Sequence, residues 1–199
     1  MPKTQRQCEM IRENMKNKIL RESMLYFARN GFAGTKIGDL AKNIGIAQGT
    51  IYLYFSSKEA LFEEIYQQVS NTREIQELKL LAASPLSGKQ KIGLISKKMI
   101  ENLQEESFAA KVALNAQLML GTGEYNSEKS TYSSALYQYT EKIICQAQKE
   151  ESCVTGSAQK LCDLYWGVVY VYALKRLFTS SYEGIGPEDL SRILLRDSL

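Results

Sequence analysis

Hydrophobic residues recur with a period of about 3.6 along most of the chain, and short polar breaks separate these periodic stretches. The first stretch ends at Gly31, a residue suited to the left-handed conformation that ends many helices. Two short helices are predicted within 35–55, and a longer one begins near Ser56, which has capping-box spacing to Glu59. The N-terminal region is therefore predicted to be helical throughout.

The later part of the chain continues this helical pattern. The long helix is expected to run past Val69 towards Leu80, and four or five further helices follow it. Their approximate positions are a stretch after Ser87, 108–120, 128–150, 157–178 and a short helix beginning at Gly186-Pro187. We place the domain boundary inside or just after the long helix, and assign residues 1–62 to one domain and residues 63–199 to the other.

Charge is distributed unevenly along the 199 residues. Residues 1–60 hold ten Lys and Arg against five Asp and Glu, whereas the remainder holds 15 against 17, and together they make the net charge of +3. A basic N-terminal domain on a mildly acidic body predicts an anionic partner for the N-terminal domain alone.

The absence of histidine excludes several kinds of site. A His-based triad, a Cys–His nucleophile and His-ligated zinc are all impossible without it. The four cysteines form no Cys-x-x-Cys pair, so we expect reduced thiols rather than disulfides or a metal site. The longest uncharged apolar run, 164–174, is too short to cross a membrane. We therefore expect a soluble cytoplasmic protein that is not an enzyme and needs no cofactor.

A helix-turn-helix pattern lies between Thr35 and Lys58. Ala41 is small enough for two crossed helices to approach each other, Gly45 supplies the sharp turn, and Ile51 fills the contact between them. The same spacing also fits an ordinary helical hairpin, so the motif by itself leaves both interpretations open.

The residues around this motif closely resemble the N-terminal DNA-binding domain of the tetracycline-repressor (TetR) family. The resemblance runs without a gap over the 44 residues from Ile19 to Phe62. It is carried by Phe27-Ala28-x2-Gly31-Phe32, Thr35, Asp39-Leu40-Ala41, Gly45-Ile46, Gly49-Thr50-Ile51-Tyr52-x-Tyr54-Phe55 and Ser57-Lys58-Glu59-Ala60-Leu61. It implies an all-α protein with an N-terminal three-helix helix-turn-helix domain and a C-terminal helical domain for ligand binding and dimerisation.

The same resemblance implies a transcription regulator, usually a repressor, that binds a palindromic operator in double-stranded DNA. It assigns DNA contacts to eight residues: Thr35, Lys36, Gln48, Gly49, Thr50, Tyr52, Tyr54 and Lys58. The amide of Gln48 suits an adenine edge in the major groove, and Thr50 suits a thymine methyl or a phosphate. Ala47 stands where relatives often carry Ser or Thr, so the second helix of the motif is expected to lack a side-chain cap.

A homodimer is the assembly that the resemblance implies. The segment 157–178 is apolar around most of its circumference, so one side is expected to face its own core and the other a second chain. We expect the interface at Leu161, Tyr165, Val168, Tyr172, Leu190, Ile193 and Leu194. A larger monomeric core is the alternative.

Aromatic residues predict a site for a small-molecule effector. Of the twelve tyrosines, seven lie between positions 125 and 172, where they are able to line an apolar pocket with hydroxyl donors. The candidate lining residues are Met99, Phe108, Met119, Tyr137, Trp166 and Tyr170. For each of them, simple packing in the core or the dimer is the alternative. By the resemblance, the ligand moves the helix that begins at Ser57 and weakens operator binding.

Two other functions stay open on the sequence. A helical small-molecule-binding or catalytic protein that has lost DNA contact is one, although the intact Gly49, Thr50, Tyr52 and Tyr54 weigh against it. An activator or a protein-bound adaptor of the same family is the other.

Overall fold

The computed structural model describes residues 5–70, 73–119, 134–179 and 183–196. These residues form helices, with one isolated antiparallel bridge between Cys153 and Leu195. The helices are α1 (Gln5–Gly34), α2 (Ile37–Ile44), α3 (Gln48–Tyr52), α4 (Lys58–Ser70), α5 (Arg73–Ala83), α6 (Gly88–Asn102), α7 (Glu106–Met119), α8 (Ala135–Lys149), α9 (Ala158–Phe178) and α10 (Pro187–Arg192). The predicted all-helical fold is confirmed.

The chain divides into two compact units, Met1–Ser70 and Asn71–Leu199. The predicted boundary after residue 62 falls inside α4, which belongs entirely to the first unit. The single long helix predicted from Ser57 towards Leu80 is instead two helices, α4 and α5, and residues 71–72 between them lie outside the described part.

The first unit is built on a small aromatic and aliphatic core. Phe27 of α1 is fully buried and meets Phe62 of α4 edge to face, with the ring centroids 5.0 Å apart. Leu40 of α2 and Ile51 of α3 are buried at 0% and 1% exposure. Because every helix of this unit contributes to the same core, α1 and α4 hold α2 and α3 in place.

The structure has both helix boundaries predicted in this unit, the end of α1 and the start of α4, although a different residue caps α4. Gly31 leaves the helical conformation with φ 71° inside α1, as its left-handed preference predicts. The cap of α4 is Ser57 rather than Ser56: its side chain accepts a hydrogen bond from the backbone N–H of Ala60 at 3.0 Å. In the first turn of α4, a hydrogen bond from a backbone N–H and one from the Ser57 hydroxyl lower the pKa of the Glu59 carboxyl group.

The second unit packs α9 against α7 and α8 around Trp166 and Tyr165, both 1% exposed. Trp166 donates its indole N–H to Thr140 Oγ1 at 3.3 Å, and Tyr165 and Ser96 share a hydroxyl contact of 3.2 Å. Burial raises the pKa of Tyr165. The large polar side chains of this core therefore have partners, as buried polar groups require.

A close approach of two helices anchors the first turn of α6. A Cβ at Gly88 would overlap the backbone of Ala147 in α8, so only glycine fits there. Beside it, the buried Lys91 donates to the carbonyl of Ala82 at 2.9 Å and to Gln146 Oε1 at 2.7 Å. Bonds from Gln146 and the Gly88 N–H lower the pKa of Glu150. One polar cluster thus joins α5, α6 and α8.

The cysteines of this structure carry free thiols. Burial, ahead of the nearby Glu141 and Asp163, raises the pKa of Cys162 to about 12. Among the described residues, no group of three potential ligands is placed to hold a metal ion. No helix in the described ranges is both long enough and apolar enough to span a bilayer.

Candidate nucleic-acid interface

The helix-turn-helix geometry predicted from Ala41, Gly45 and Ile51 is confirmed. Gly45 adopts the left-handed conformation with φ 77° and ψ 38°, and its N–H donates to the carbonyl of Lys42 at 3.1 Å. Ala41 is 2% exposed and Ile51 is 1% exposed. The turn therefore brings α3 across α2 as the motif requires, which leaves the opposite side of α3 at the surface.

Helix α3 begins without a side-chain cap. Ala47 occupies the N-cap position in an extended conformation and no side chain bonds to the first turn, as the departure from the family pattern predicts. The helix is only five residues long, Gln48–Tyr52. Packing through Ile51, rather than intrinsic helical stability, must hold it.

Five polar side chains surround α3, and we call them the reading surface: Lys36, Gln48, Thr50, Tyr52 and Tyr54. Tyr52 is 48% exposed, Lys36 and Gln48 are exposed, and the other two are half-buried. None of the five side chains makes a hydrogen bond or ion pair with the part of the chain that the structure describes. Their donors and acceptors are thus free for another molecule, and their contact with DNA stays a prediction.

Two apolar features complete this surface. Leu53, between the two tyrosines, is 74% exposed, although a leucine gains nothing from water contact. Gly49 has open space where a side chain would stand, so a phosphate or base edge is able to approach its backbone.

Thr35 is engaged within the N-terminal unit. Its side chain is buried at 2% exposure, and its hydroxyl donates to the carbonyl of Gly31 at 2.7 Å. Its backbone N–H donates to the carbonyl of Phe32 at 3.2 Å. Both polar groups therefore have partners at the end of α1, and contact of Thr35 with DNA stays a prediction. The N-cap of α2 is Lys36 rather than Thr35.

Lys58 has contacts within its own unit, and its contact with DNA stays a prediction. Its ammonium donates to the carbonyls of Phe32 and Thr35, at 3.1 and 3.3 Å, and stands 4.2 Å from the centroid of the Phe32 ring. We call this arrangement the Lys58 clamp. It ties the start of α4 to the connection between α1 and α2, where a helix end leaves carbonyls without intrahelical partners.

Other basic residues of α1 are engaged in the same way. Lys18 donates to the carbonyl of Ile44 at the end of α2, at 3.1 Å, and Lys16 pairs with Glu64 of α4. Sequence reasoning assigned the basic excess to DNA and missed these contacts. The sequence did contain a signal for these contacts, because each predicted helix end leaves backbone carbonyls without an intrahelical partner.

The predicted dimer residues divide into two groups. Leu161, Tyr165, Leu190 and Leu194 are buried inside their own unit at 7% exposure or less, and their contact with a second chain stays a prediction. Val168, Tyr172 and Ile193 are half-buried. The exposed α9 face consists instead of Leu164, Val168, Val171, Leu174 and Phe178, of which Leu164 and Phe178 are about 60% exposed, at 59% and 60%.

The predicted effector residues are part of the packed interior. Phe108, Tyr137 and Trp166 are buried, while Met99 and Tyr170 are half-buried. Burial is the main cause that raises the pKa of Tyr137 and of Tyr170, whose hydroxyls are in hydrogen-bond contact with each other. The side chain of Met119 lies outside the described residues.

A small cavity of ≈ 200 Å³ lies at the C-terminal ends of α6 and α9. Its lining includes the predicted dimer residue Tyr172, which is half-buried there. Arg176 at its rim donates through Nε and Nη2 to the carbonyl of Gln104, at 3.2 and 2.9 Å. The lining therefore combines apolar side chains, such as Ile100 and Leu103, with polar ones and the Arg176 guanidinium.

Comparison with known proteins begins at the N-terminal unit. Residues 19–65 match the family model of bacterial regulatory proteins, tetR family. YerO of Bacillus subtilis (strain 168), an uncharacterized HTH-type transcriptional regulator, is 48% identical over 46 residues, which are 23% of this chain and 16% of that protein. IcaR of Staphylococcus aureus (strain Newman), the negative transcriptional regulator of the biofilm operon icaADBC, is 34% identical over 50 residues, or 25% of this chain and 27% of IcaR. Residues 19–65 of the chain form a TetR-family helix-turn-helix domain.

Solved structures resemble the chain over most of its length. HlyIIR, a hemolysin II transcriptional regulator, superposes with a TM-score of 0.67 at 15% identity, covering 94% of this chain and 99% of that one. An ArpA-like γ-butyrolactone receptor superposes with a TM-score of 0.61 at 15% identity, covering 82% and 83%. At these identities the similarity shows the fold, with its N-terminal helix-turn-helix domain and C-terminal helical domain.

The Lys58 clamp leads to a prediction about stability. Substituting Lys58→Met removes two charge-assisted hydrogen bonds and leaves two carbonyls without a donor, so the N-terminal unit should lose about 1–3 kcal/mol of unfolding free energy. Hydrogen exchange of the α2 and α3 amides measures this loss. Lys36→Met is the matched control, because Lys36 has no partner among the described residues and its loss should change stability by less than about 0.5 kcal/mol. Equal stability of the two variants would contradict the clamp.

Proposed function

We propose that this TetR-family chain is a transcriptional repressor. It binds a palindromic operator in double-stranded DNA as a homodimer and is released by a small hydrophobic or aromatic ligand. The reading surface carries this proposal, because its five polar side chains have no partner among the described residues and surround a short helix whose inner face is fixed by Ile51.

The chemistry of the reading surface suits duplex DNA. Gln48 has the amide needed to bind an adenine edge through two hydrogen bonds, and Leu53 suits a thymine methyl. Tyr52 and Tyr54 have phenol groups that donate to phosphate oxygens, and Lys36 adds a cation. Residues 1–60 carry a net charge of +5, which attracts the polyanion to this unit rather than to the other.

The exposed α9 face supports a dimer. Its five apolar side chains lie four, three, three and four residues apart along the helix, so they form one stripe on a helix of 21 residues. A second copy of this chain, presenting the same stripe, would remove them from water in a two-fold packing. Two linked reading surfaces then bind two half-sites at once, which gives the affinity that one surface lacks.

Support for an effector comes from the aromatic core and from a neighbour. The γ-butyrolactone receptor with a similar fold is named for a small molecule. In this chain Tyr137, Trp166 and Tyr170 lie together in the second unit, and a ligand entering among them must displace existing contacts. A ligand releases DNA only if it binds the released form more tightly than the bound form.

The decisive experiment selects duplexes from a random library with the purified chain. We expect enrichment of a palindrome with half-sites about one helical turn apart, and an affinity that falls steeply as salt rises. Tyr54→Phe and Lys36→Ala should weaken binding to all sequences, whereas Gln48→Ala should relax the preference at one position of each half-site. A folded chain that enriches no duplex would show that it is not a DNA-binding repressor.

The dimer is tested by placing a charge on the exposed α9 face. Val171→Glu buries an unpaired carboxylate at the proposed interface and should turn the dimer into a monomer in sedimentation experiments, with operator affinity at least about tenfold lower. Leu80→Glu is the matched control, since Leu80 is 71% exposed on α5 and outside this face. If both variants sediment like the unmodified chain, the interface lies elsewhere.

The effector is tested through the only tryptophan of the chain, Trp166. Compounds from a panel of small aromatic and aliphatic molecules that bind near it should change its fluorescence and lower operator affinity. By thermodynamic reciprocity, operator DNA should weaken the binding of such a compound by the same factor. Compounds that change the fluorescence without any effect on operator affinity would argue against control by this region.

A further inference from the structure

Gly38 and Gln48 lie against each other where α2 and α3 cross. A Cβ built on Gly38 would stand 3.3 Å from Gln48 Oε1 and 4.0 Å from Gln48 Cδ. The amide of Gln48 therefore lies over the backbone of the first turn of α2. Apart from the backbone of α2 itself, those two atoms of Gln48 are the only ones that such a Cβ would meet within 4 Å in the described structure.

The backbone does not explain a glycine at this position. The glycines with positive φ in the described ranges are Gly31, Gly45 and Gly156, and Gly38 is not among them. Inside a helix, glycine is less favourable than alanine by roughly 0.5–1 kcal/mol. Glycine at position 38 therefore lowers the stability of α2 without a conformational reason. Its effect is steric: the absence of a side chain leaves space beside Gln48.

The orientation of that amide decides what it is able to read. A glutamine discriminates a base edge only when its carbonyl oxygen and its NH₂ group both align with the edge. Gln48 is exposed, and its amide has no hydrogen-bond partner among the described residues. Steric contact with α2 is therefore a main factor in which rotamer its side chain adopts.

We propose that Gly38 is a specificity-determining position: by leaving space on α2, it lets the Gln48 amide lie against that helix and so sets which base edge the amide reads. Gly38 acts as a positioning residue, through Gln48 and not through its own contact with a base. This inference rests on the DNA-binding function proposed above.

The experiment compares the half-site preferences of the unmodified chain, Gly38→Ala, Gln48→Ala and the double variant on the same duplex library. Gly38→Ala should change the preference by about tenfold at one position per half-site, the same position that Gln48→Ala relaxes. In the Gln48→Ala background, Gly38→Ala should have no further effect on that position, because the two residues act as one unit.

Gly93→Ala is the matched control. Gly93 lies inside α6, and an added Cβ there meets nothing within 4 Å, so it gives the same helical gain without touching Gln48. The side-chain amide resonances of Gln48 in the DNA-free protein should shift in Gly38→Ala and not in Gly93→Ala. A purely structural effect of Gly38→Ala would change affinity for all duplexes equally and leave the base preference unchanged.

The outcomes separate the two proposals. If the unmodified chain selects a palindrome and Gly38→Ala selects the same one with the same preferences, the specificity role of Gly38 is overturned while the repressor function stands. If the preference changes equally with and without Gln48, the effect does not pass through that residue, and the proposal fails. If the unmodified chain selects no duplex at all, the proposed function falls and this inference falls with it.

Discussion

The close crossing of α2 and α3 is the constraint on which the rest of the N-terminal unit depends. It needs a left-handed residue at Gly45, a side chain as small as Ala41 on one helix and a buried Ile51 on the other. Helix α3 is too short to be stable by itself and has no side-chain cap, so this packing alone gives its outer face a fixed direction. Lys18 then fastens the end of α2 to α1, and the Lys58 clamp fastens α4 to the end of α1 and to Thr35, in each case through backbone carbonyls.

Much of this unit was predictable from the sequence, because its determinants are local. The glycine stop at Gly31, the turn at Gly45 and the small residue at Ala41 each have a backbone or steric reason that is visible along the chain. The exposed positions of Gln48 and Tyr52 follow once α3 is known to cross α2 through Ile51. The intrachain contacts of Thr35 were harder to predict: its role was inferred by resemblance, while the carbonyl that accepts from its hydroxyl is set free by the end of α1.

The second unit was harder to predict because α9 has no single apolar side. When a helix is apolar almost all round, its sequence does not indicate which face is buried. The face that meets α7 and α8 was therefore indistinguishable from the face that meets solvent. The structure assigns Leu161 and Tyr165 to the first and Leu164 and Phe178 to the second. Likewise, the polar partners of Trp166 and Lys91 come from helices far away along the chain, and no local pattern predicts them.

The first unit also separates the residues that hold the fold from those that face outward. Ile51 packs inward from α3, whereas Gln48, Thr50 and Tyr52 beside it contribute little to the core. Substitutions on the outer face therefore cost little folding stability, as surface changes generally do. In evolution, such a surface is free to acquire a new sequence preference by single steps, each of which leaves a folded protein. A duplicated copy of this gene could diverge in its target sites long before its architecture changed.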